Sequence, residues 1–449
     1  MHDTPTAVSR AGGTTQAGEV PPNRSRRDRW GWTEASVWTD RMLAALEAGV
    51  KGGVWFSLID KVYARTNLDS AWEKVARNEG AAGVDGMTVD RYRKDAESNL
   101  KWLSEQLRAG TYRPQAIRRT YIPKADGTQR PLGIPTVRDR IVQGAIRHVL
   151  EPIFEKQFAR HSYGFRPGRG CKDALRRVDE LLKDGHRYVV DADLKSYFDS
   201  IPHGKLMDEV GTRVADGRVL NLIRSFLEAN ILEGLDSWTP LAGAPQGAVL
   251  SPLLSNLYLN PLDHAMEADG YAMVRYADDF VILCRTRDQA ETALERVRGW
   301  VSQAGLTLHP DKTRIADTAC EDFSFLGFRF DSRGRRWPRD KSLQKLREAI
   351  RHKTRRTNGQ SLDTIIRKIN PTLRGWFGYF KHSYKTAFPS IDGWVRMRLR
   401  SILRKRQKKK GRGRGSDHQR WPNAFFAERG LYSLTAAHRT ACQSMTMAH

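Results

Sequence analysis

Residues 273–284 read MVRYADDFVILC and place two adjacent carboxylates, Asp278 and Asp279, between two apolar runs. The apolar residues on both sides predict a β-hairpin whose tip carries the acidic pair. Two neighbouring anions are costly unless a cation joins them, and Mg²⁺ prefers a few carboxylates together with substrate phosphate oxygens. Taken alone, the pattern is equally compatible with an ordinary turn that is stabilised by an aspartate side chain.

A second acidic strand end lies upstream, in the segment RYVVDADLKSYFDSI at residues 187–201. Its β-branched run predicts a strand that leads into Asp193. Three carboxylates from two strands are what a two-metal phosphoryl-transfer site requires, because one ion activates a 3′-hydroxyl and the other holds the leaving pyrophosphate. Asp191 and Asp199 are alternatives. Asp191 lies about 6.5 Å back along the same strand face, and Asp199 is expected to cap the helix that follows.

The composition predicts an anionic partner. The chain has 449 residues and a formal net charge of +25, from 76 Lys and Arg against 51 Asp and Glu. Nucleic acid is the usual partner of such a protein, because each neutralised phosphate releases counterions; charge kept only for solubility is the alternative. The sequence contains neither an 18-residue apolar stretch nor an apolar leader, which argues against membrane and secreted proteins and predicts a cytoplasmic one. The four cysteines lack the spacing of metal ligands.

Local patterns divide the chain into helical and extended segments. Residues 1–35 lack apolar periodicity and are expected to form a disordered basic arm. Residues 36–75 have helical spacing and are predicted to contain two or three helices. β-Branched residues on both sides of Asp126-Gly127 predict a hairpin. Strands and helices alternate between about 186 and 331, which is typical of the α+β class.

The last quarter of the chain is basic and helical in its periodicity. Eleven of the nineteen residues from 396 to 414 are Lys or Arg and none is acidic, which suits contacts to phosphates better than base recognition. GWFGYFKH at 375–382 is expected to be helix core, with a stacking surface as the alternative. RWPNAFFAERGLYSL at 420–434 is either a small DNA-binding remnant or a packing tail.

Ordered blocks of sequence resemble the group II intron reverse transcriptase and maturase family over about residues 60–400. The most specific are Asp193 to Phe198, YADD at 276–279 and APQGAVLSPLLSN at 244–256. The others are GVDGMTVDRY at 83–92, RPLGIP at 130–135, SYGFRPGRG at 162–170, FSFLGFRF at 323–330 and GWFGYFKH at 375–382.

The resemblance implies an α+β right-hand polymerase with fingers, a palm built on a small antiparallel sheet with helices, and a helical thumb. The implied segments before the palm are a disordered basic arm at 1–35, an N-terminal helical extension at 36–75 and fingers at 76–185. The palm at 186–335, the thumb or maturase domain at 336–410 and a basic C-terminal tail at 411–449 follow. The tail would include the DNA-binding remnant.

The resemblance also implies roles for single residues. The catalytic carboxylates are Asp193, Asp278 and Asp279, and the ligands of two Mg²⁺ ions, for which Mn²⁺ can substitute, are Asp193, Leu194, Asp278 and Asp279. The residues that bind the incoming nucleotide are Lys124, Arg130, Phe198, Gln246, Gly247 and Lys312.

Each nucleotide-binding role has a simpler alternative. Phe198 is expected to exclude a 2′-hydroxyl, or else to be a core aromatic. Lys124 and Arg130 are expected to grip the triphosphate, or else to be solvated charges. Gln246 and Gly247 contact the nascent base pair or lie in a surface loop. Lys312 protonates pyrophosphate or is ordinary surface charge, and FSFLGFRF forms the primer grip, the core of a sheet, or both.

The implied function is RNA-directed DNA synthesis for a mobile group II intron. A DNA 3′ end is extended on an RNA template with deoxynucleoside triphosphates, and the intron RNA is bound to aid splicing. The alternatives are a non-catalytic RNA-binding splicing factor and a reverse transcriptase recruited to antiviral defence. The protein is expected to be bacterial, cytoplasmic and nucleoid-associated, with no membrane partner. Because only Cys442 follows Arg414, the H-N-H endonuclease of many relatives is not expected, which favours priming at a replication fork or another nick.

Overall fold

The N-terminal part of the chain is helical. The structure is a computed structural model that describes residues 26–123, 127–357, 359–409, 411 and 415–446. The first helices are α1 (Arg26–Trp30), α2 (Asp40–Ala48), α3 (Ile59–Tyr63), α4 (Arg65–Asn78), α5 (Val89–Lys94) and α6 (Ala96–Ala109), with a 3-10 turn at Lys51–Gly53. These elements agree with the helices predicted for residues 36–75.

The expected disordered arm does not extend to residue 35. Residues 1–25 lie outside the described residues, but Arg26–Trp30 is helical. The Trp30 side chain is buried, and its indole N–H donates to Glu47 at 3.2 Å. This five-residue helix is too short to show an apolar periodicity in the sequence. Its packing against α2 is what orders it.

The predicted hairpin around Asp126-Gly127 is present and belongs to a larger sheet. Its strands β1 (Ile117–Pro123) and β2 (Gln129–Ile134) pair antiparallel. The next elements are the helices α7 (Val137–Glu155) and α8 (Cys171–Lys183), and later the strands β4 (Ile231–Glu233) and β5 (Asp236–Trp238). β4 joins β1 in parallel, so the strand order is β2-β1-β4-β5. The β4–β5 hairpin was not predicted from the sequence.

The central sheet carries the acidic motifs. It consists of β3 (Tyr188–Asp193), β6 (Ala272–Tyr276), β7 (Asp279–Cys284) and β8 (Arg314–Asp317), all antiparallel in the order β6-β7-β3-β8. The helices around it are α9 (Tyr197–Ser200), α10 (His203–Gly211), α11 (Gly217–Leu227), α12 (Ser251–Ala268) and α13 (Arg287–Gln303).

Both faces of the central sheet are buried, because side chains alternate between them. Val189 packs in a cluster with α8 residues. Its neighbour Val190 packs in the other cluster, which contains the apolar faces of α11, α12 and α13. The near-continuous apolar runs of β3 and β7 follow from this two-sided burial.

A second small sheet precedes the C-terminal helices. Its strands are β9 (Phe323–Phe325), β10 (Phe328–Phe330) and β11 (Arg336–Pro338), and the helices are α14 (Asp340–Lys353), α15 (Leu362–Phe380), α16 (Ala387–Arg406), α17 (Ser416–Arg420), α18 (Asn423–Glu428) and α19 (Leu434–Thr446). The four phenylalanines of FSFLGFRF are at most 1% exposed, so this block forms sheet core. Among the described helices, none has the length and apolar content needed to cross a membrane.

The C-terminal aromatic residues pack inside the helical unit. Trp421 and Phe426 are buried in one cluster with Phe377 and other residues of α14, α15 and α16. The Asp392 carboxylate on α16 accepts the main-chain N–H of Leu434 at 3.0 Å, which fastens the start of α19. The buried rings of this segment and of GWFGYFKH thus form part of the helix core.

Candidate active site

The antiparallel register of β3 and β7 brings the predicted carboxylates together. Asp193 lies directly opposite Asp279, and Asp278 follows Ala277 in the two-residue turn between β6 and β7, here called the acidic turn. Burial, followed by repulsion from Asp191, Asp193 and Asp278, raises the pKa of Asp279 to about 7. Burial likewise raises the pKa of Asp278 and that of Asp191, the latter to about 6. The site thus holds more negative charge than its surroundings neutralise.

The donor chemistry suits a hard divalent cation, which prefers carboxylate and carbonyl oxygens. Leu194 can contribute only its main-chain carbonyl, because its side chain is apolar and buried. The carboxylates are not arranged as a finished ligand cage: within the described ranges, no group of three or more His, Cys, Asp or Glu side chains is placed to hold a metal ion. Asp193 instead accepts a hydrogen bond from the Lys312 ammonium. Lys312 occupies one oxygen of Asp193, so a cation that bound this oxygen would compete with the Lys312 ammonium.

A buried guanidinium holds the acidic turn in place. Arg275 is fully buried at the end of β6, and its Nε lies 2.7 Å from Oδ1 of Asp263 on α12. Its Nη1 donates to the Asn256 side chain at 3.0 Å and to the Ala277 carbonyl at 2.8 Å. Burial acts to lower the pKa of Arg275, but Asp263 outweighs it and raises the pKa. Arg275 is therefore a charged clamp between α12 and the acidic turn.

The SYGFRPGRG block supplies a third side of this clamp. The Asn256 side-chain amide donates to the Gly164 carbonyl at 2.7 Å. A Cβ atom on Gly164 would lie 2.3 Å from the main-chain nitrogen of Ala277, so only glycine fits. Ala277 itself has a φ of 59°, in the left-handed region that costs a residue with a side chain about 1 kcal/mol or more. The surrounding contacts hold the turn in this conformation.

Arg130 and the PQG loop face the same site. Arg130 Nε donates to Gln246 Oε1 at 2.7 Å, and the Arg130 charge acts to lower the pKa of Asp278. Gly247 has a φ of 107°, and a Cβ there would lie 2.5 Å from the Gly133 carbonyl. The close approach that requires glycine at 247 is therefore made to strand β2.

The remaining predicted residues have mixed positions. Phe198 is 7% exposed and its ring centroid lies 5.5 Å from that of Tyr197, so it is largely a core aromatic. The prediction that Asp199 caps the following helix is wrong, because α10 has no side-chain cap. The Asp199 carboxylate instead lies 4.0 Å from Arg119. Lys124 lies outside the described residues.

Comparison with known proteins gives the family. Residues 122–330 match the family described as reverse transcriptase (RNA-dependent DNA polymerase), and residues 343–421 match the group II intron, maturase-specific domain. Protein YkfC of Escherichia coli (strain K12) is 37% identical over 286 residues, which cover 55% of this chain and 75% of YkfC. The chain belongs to the group II intron reverse transcriptase and maturase family. The resemblance inferred from the sequence blocks is thereby confirmed.

Other relatives of this reverse transcriptase and maturase are longer. Group II intron-encoded protein LtrA of Lactococcus lactis subsp. cremoris is 39% identical over 196 residues, which cover 43% of this chain and 32% of LtrA. The chain thus spans three quarters of YkfC but about a third of LtrA. A solved telomerase from Candida albicans aligns with 70% of this chain at a TM-score of 0.40 and 12% identity, a similarity too distant to add to the assignment.

Sequence reasoning missed a link between α15 and the carboxylates of this family member. The Tyr379 hydroxyl donates to the Leu326 carbonyl at 2.7 Å, and a hydrogen bond from the Leu326 main-chain N–H acts to lower the pKa of Asp279. Leu326 has a φ of 48° in the tight turn between β9 and β10. The Cys171 thiol interacts with the hydroxyls of Tyr276 and Tyr379.

The sequence contained a recognisable sign of a functional contact for Arg275 but not for the contact between Tyr379 and Leu326. A single arginine inside the apolar run MVRY is unusual, because a buried charge needs a partner, and this anomaly pointed to Arg275. Tyr379 and Leu326 lie in the blocks GWFGYFKH and FSFLGFRF, but nothing in either block indicated that these residues, which are 53 positions apart, are in contact.

The Gly164→Ala variant tests the contact beneath the acidic turn. The added Cβ must displace Ala277, and a shift of the neighbouring carboxylates by about 1 Å is expected to reduce primer extension on an RNA template by about a hundredfold. Gly170→Ala is the matched control from the same loop, because the nearest atom to its added Cβ, Asp173 Oδ2, is 4.0 Å away. Extension rates and thermal midpoints are measured for both. Wild-type extension by Gly164→Ala would show that the turn is not confined by this glycine.

The raised pKa of Asp279 predicts a pH-dependent gain in stability for Asp279→Asn. In the folded protein this pKa rises from its ordinary value of 3.8 to about 7, so between these pH values the folded state keeps a proton that the unfolded chain has lost. Wild-type stability should therefore fall as pH rises through this window. The asparagine variant should be more stable than the wild type above pH 7, and the difference should vanish towards pH 4.

This prediction is checked by thermal unfolding in EDTA across that pH range. Asp317→Asn in the neighbouring strand β8 is the control of opposite sign, because a hydrogen bond from Arg187 lowers the pKa of Asp317. An equal gain for Asp279→Asn at pH 5 and pH 8 would contradict the electrostatic explanation.

Proposed function

We propose that this chain is an RNA-directed DNA polymerase of a mobile group II intron, which extends a DNA 3′ end on an RNA template and binds the intron RNA as a maturase. The observation that supports this function is the strand register that sets Asp193 opposite Asp279, beside Asp278, in a member of this family. In the same proposal the protein is bacterial, cytoplasmic and nucleoid-associated. The functional segments are the fingers at 76–185, the palm at 186–335 and the thumb at 336–410, preceded by the extension at 36–75 and followed by the tail at 411–449.

The metal site would be formed by Asp193, Asp278 and Asp279 with the main-chain carbonyl of Leu194. Two Mg²⁺ ions, or Mn²⁺ in their place, would supply activation of the primer hydroxyl and charge neutralisation at the phosphates. The Lys312 ammonium pairs with Asp193. Once displaced from that carboxylate, it would be positioned to donate a proton to an oxygen of the leaving pyrophosphate.

The nucleotide would be bound by residues of the β1–β2 hairpin and the PQG loop. Arg130 would contact the triphosphate together with Lys124, as a charge that already faces Asp278. Gln246 is oriented by its hydrogen bond from Arg130 and would contact the nascent base pair, while Gly247 holds its loop against β2. The exposed edge of Phe198 would exclude a 2′-hydroxyl and so select deoxynucleotides.

The C-terminal basic run would contribute to RNA binding with only part of its charge. Arg400 is buried and donates to the Trp421 carbonyl at 2.9 Å, and Arg404 pairs with Asp417 at 2.7 Å. These cations hold the helical unit together. Exposed members of the run, such as Lys405 and Lys408, remain to contact phosphates of the intron RNA.

Asp278→Ala tests the catalytic assignment. Loss of this carboxylate should reduce primer extension with RNA template, DNA primer and deoxynucleotides by at least about a thousandfold, while RNA affinity is kept. Asp269→Ala is the control, because Asp269 is a surface partner of Arg296 at the end of α12. Retained extension by Asp278→Ala would refute the assignment. A wild-type protein that binds RNA but never extends the primer would instead support the non-catalytic splicing factor.

Phe198→Val tests sugar selection. Removing the ring should raise the incorporation of ribonucleotides relative to deoxynucleotides by about ten- to a hundredfold. The ratio of the two kcat/KM values, measured in one preparation, is insensitive to the partial unfolding that truncation of a buried ring can cause. An unchanged ratio would leave Phe198 as a core residue only.

A further inference from the structure

A basic cavity lies where α8, the turn between β10 and β11, and the connection from α15 to α16 meet. It encloses about 720 Å³. Its cations come from three distant segments of the chain: Lys183 from α8, Arg333 and Arg335 from the turn with Arg336 at the start of β11, and Lys385 from the connection. No residue predicted to bind nucleotide or metal lines it.

The charges that line this basic cavity are not balanced. Two carboxylates line it: Asp179 pairs with Arg336 at 3.1 Å, and Asp331 pairs with Arg335 at 2.8 Å. Lys183, Arg333 and Lys385 are exposed, and none of the three forms an ion pair with a residue that the structure describes. The residues that line the cavity therefore include five cations and two carboxylates, which gives a net formal charge of +3.

Side-chain and main-chain contacts hold together the wall of the basic cavity that carries Arg335. Burial acts to raise the pKa of Asp331, but hydrogen bonds from Trp337 and Arg335 outweigh it and lower the pKa. The Arg335 guanidinium also lies 4.9 Å from the ring centroid of Tyr384, and the Tyr384 main-chain N–H donates to the Arg336 carbonyl at 2.7 Å. These contacts hold Arg335 and the start of β11 in place, while Lys183, Arg333 and Lys385 remain exposed beside them.

Neutral polar groups accompany these cations. Burial, followed by the charges of Arg336 and Lys381, lowers the pKa of His382 to about 4, so its imidazole is uncharged at neutral pH and can still donate a hydrogen bond. The Ser383 hydroxyl is buried and has no hydrogen-bond partner in the described part of the chain. Both residues line the basic cavity. Cations together with hydroxyl and ring N–H donors are the groups that proteins use on backbone phosphates.

The basic cavity is separate from the carboxylates but connected to them by one helix. Cys171, at the start of α8, interacts with Tyr276 and Tyr379 beside the acidic turn. Lys183 ends the same helix, and twelve residues at 1.5 Å each place it roughly 18 Å away. A ligand in the cavity therefore lies outside the reach of the reacting nucleotide.

We propose that the basic cavity binds the phosphodiester backbone of a nucleic acid at a point away from the catalytic site. This proposal rests on one part of the proposed function, namely that the chain binds nucleic acid, and does not depend on polymerase activity. The phosphates belong either to the template–primer duplex or to a separate structured RNA, and the two sources present the same chemistry to the cavity.

The test compares two triple variants of equal formal charge. Lys183→Gln with Arg333→Gln and Lys385→Gln removes the three cations of the cavity that form no ion pair with a described residue. Arg224→Gln with Lys101→Gln and Arg108→Gln is the control, on exposed positions of α11 and α6 that likewise form no ion pair with a described residue; both helices belong to the cluster on the other face of the central sheet. Fluorescence anisotropy measures the Kd of each protein, over a range of salt concentrations, for a labelled RNA hairpin blocked at its 3′ end and for an RNA template annealed to a DNA primer.

The cavity variant should bind at least one probe about tenfold or more weakly, with a slope of log Kd against log salt smaller by about 2 to 3, while the control changes neither. Weakened hairpin binding alone identifies a separate RNA, and weakened template–primer binding identifies the duplex. Equal binding of both probes by the cavity variant and the control overturns the proposal.

A charge-keeping variant separates lost contacts from lost folding. Lys183→Arg with Arg333→Lys and Lys385→Arg should restore most of the affinity and the salt slope, and circular dichroism checks that all variants unfold at the wild-type temperature. The outcome is independent of catalysis: a wild-type protein that binds both probes without extending the primer would refute the polymerase and leave the binding comparison intact.

Discussion

The arrangement of the site depends on one buried cation. Arg275 is enclosed by the core and satisfied by Asp263, Asn256 and the Ala277 carbonyl. Removing one partner of a buried ion pair leaves the other charge unpaired in the core, which destabilises a protein by about 3 to 5 kcal/mol. Movement of the turn beside Asp278 would therefore cost this guanidinium its hydrogen bond to the Ala277 carbonyl. That constraint explains why the SYGF, SPLLSN and YADD blocks occur together: each contributes one side of the same enclosure.

The carboxylates held by this clamp are in an electrostatically unfavourable state. Burial and mutual repulsion raise the pKa of Asp279 to about 7, and Lys312 supplies the cation that Asp193 lacks. A protein selected only for stability would replace such a cluster with apolar residues. Its retention is physically reasonable in a site that gains a divalent cation during function, because that cation then relieves the repulsion. The hydrogen bonds from Tyr379 to Leu326 and from Leu326 to Asp279 extend this support to α15.

The large positive charge of the chain serves two purposes that composition cannot separate. Some cations are structural: Arg275 clamps the acidic turn, and Arg400 and Arg404 fasten the C-terminal helices. Others, such as Lys183, Arg333 and Lys385, lie exposed around a cavity with no ion pair to a described residue. Only the second kind is available to a nucleic acid, so net charge overstates the phosphate-binding surface. The dense basic run near residue 400 is a clear case, because Arg400 is buried and Arg404 is paired with Asp417, whereas Lys405 and Lys408 are exposed.

The sequence by itself determined the elements whose signals are local. Apolar alternation around Asp278 and Asp279, the β-branched run before Asp193 and the spacing of the family blocks were enough for the hairpin, the α+β class and the family. The tertiary structure decided which distant residues meet: strand register set Asp193 against Asp279, and packing brought Arg275 to Asp263 and Tyr379 to Leu326. It also decided that Gly247 presses on β2 and that Asp199 faces Arg119. Periodicity reports which face of an element is buried, whereas these contacts depend on how separate elements pack, which no local pattern encodes.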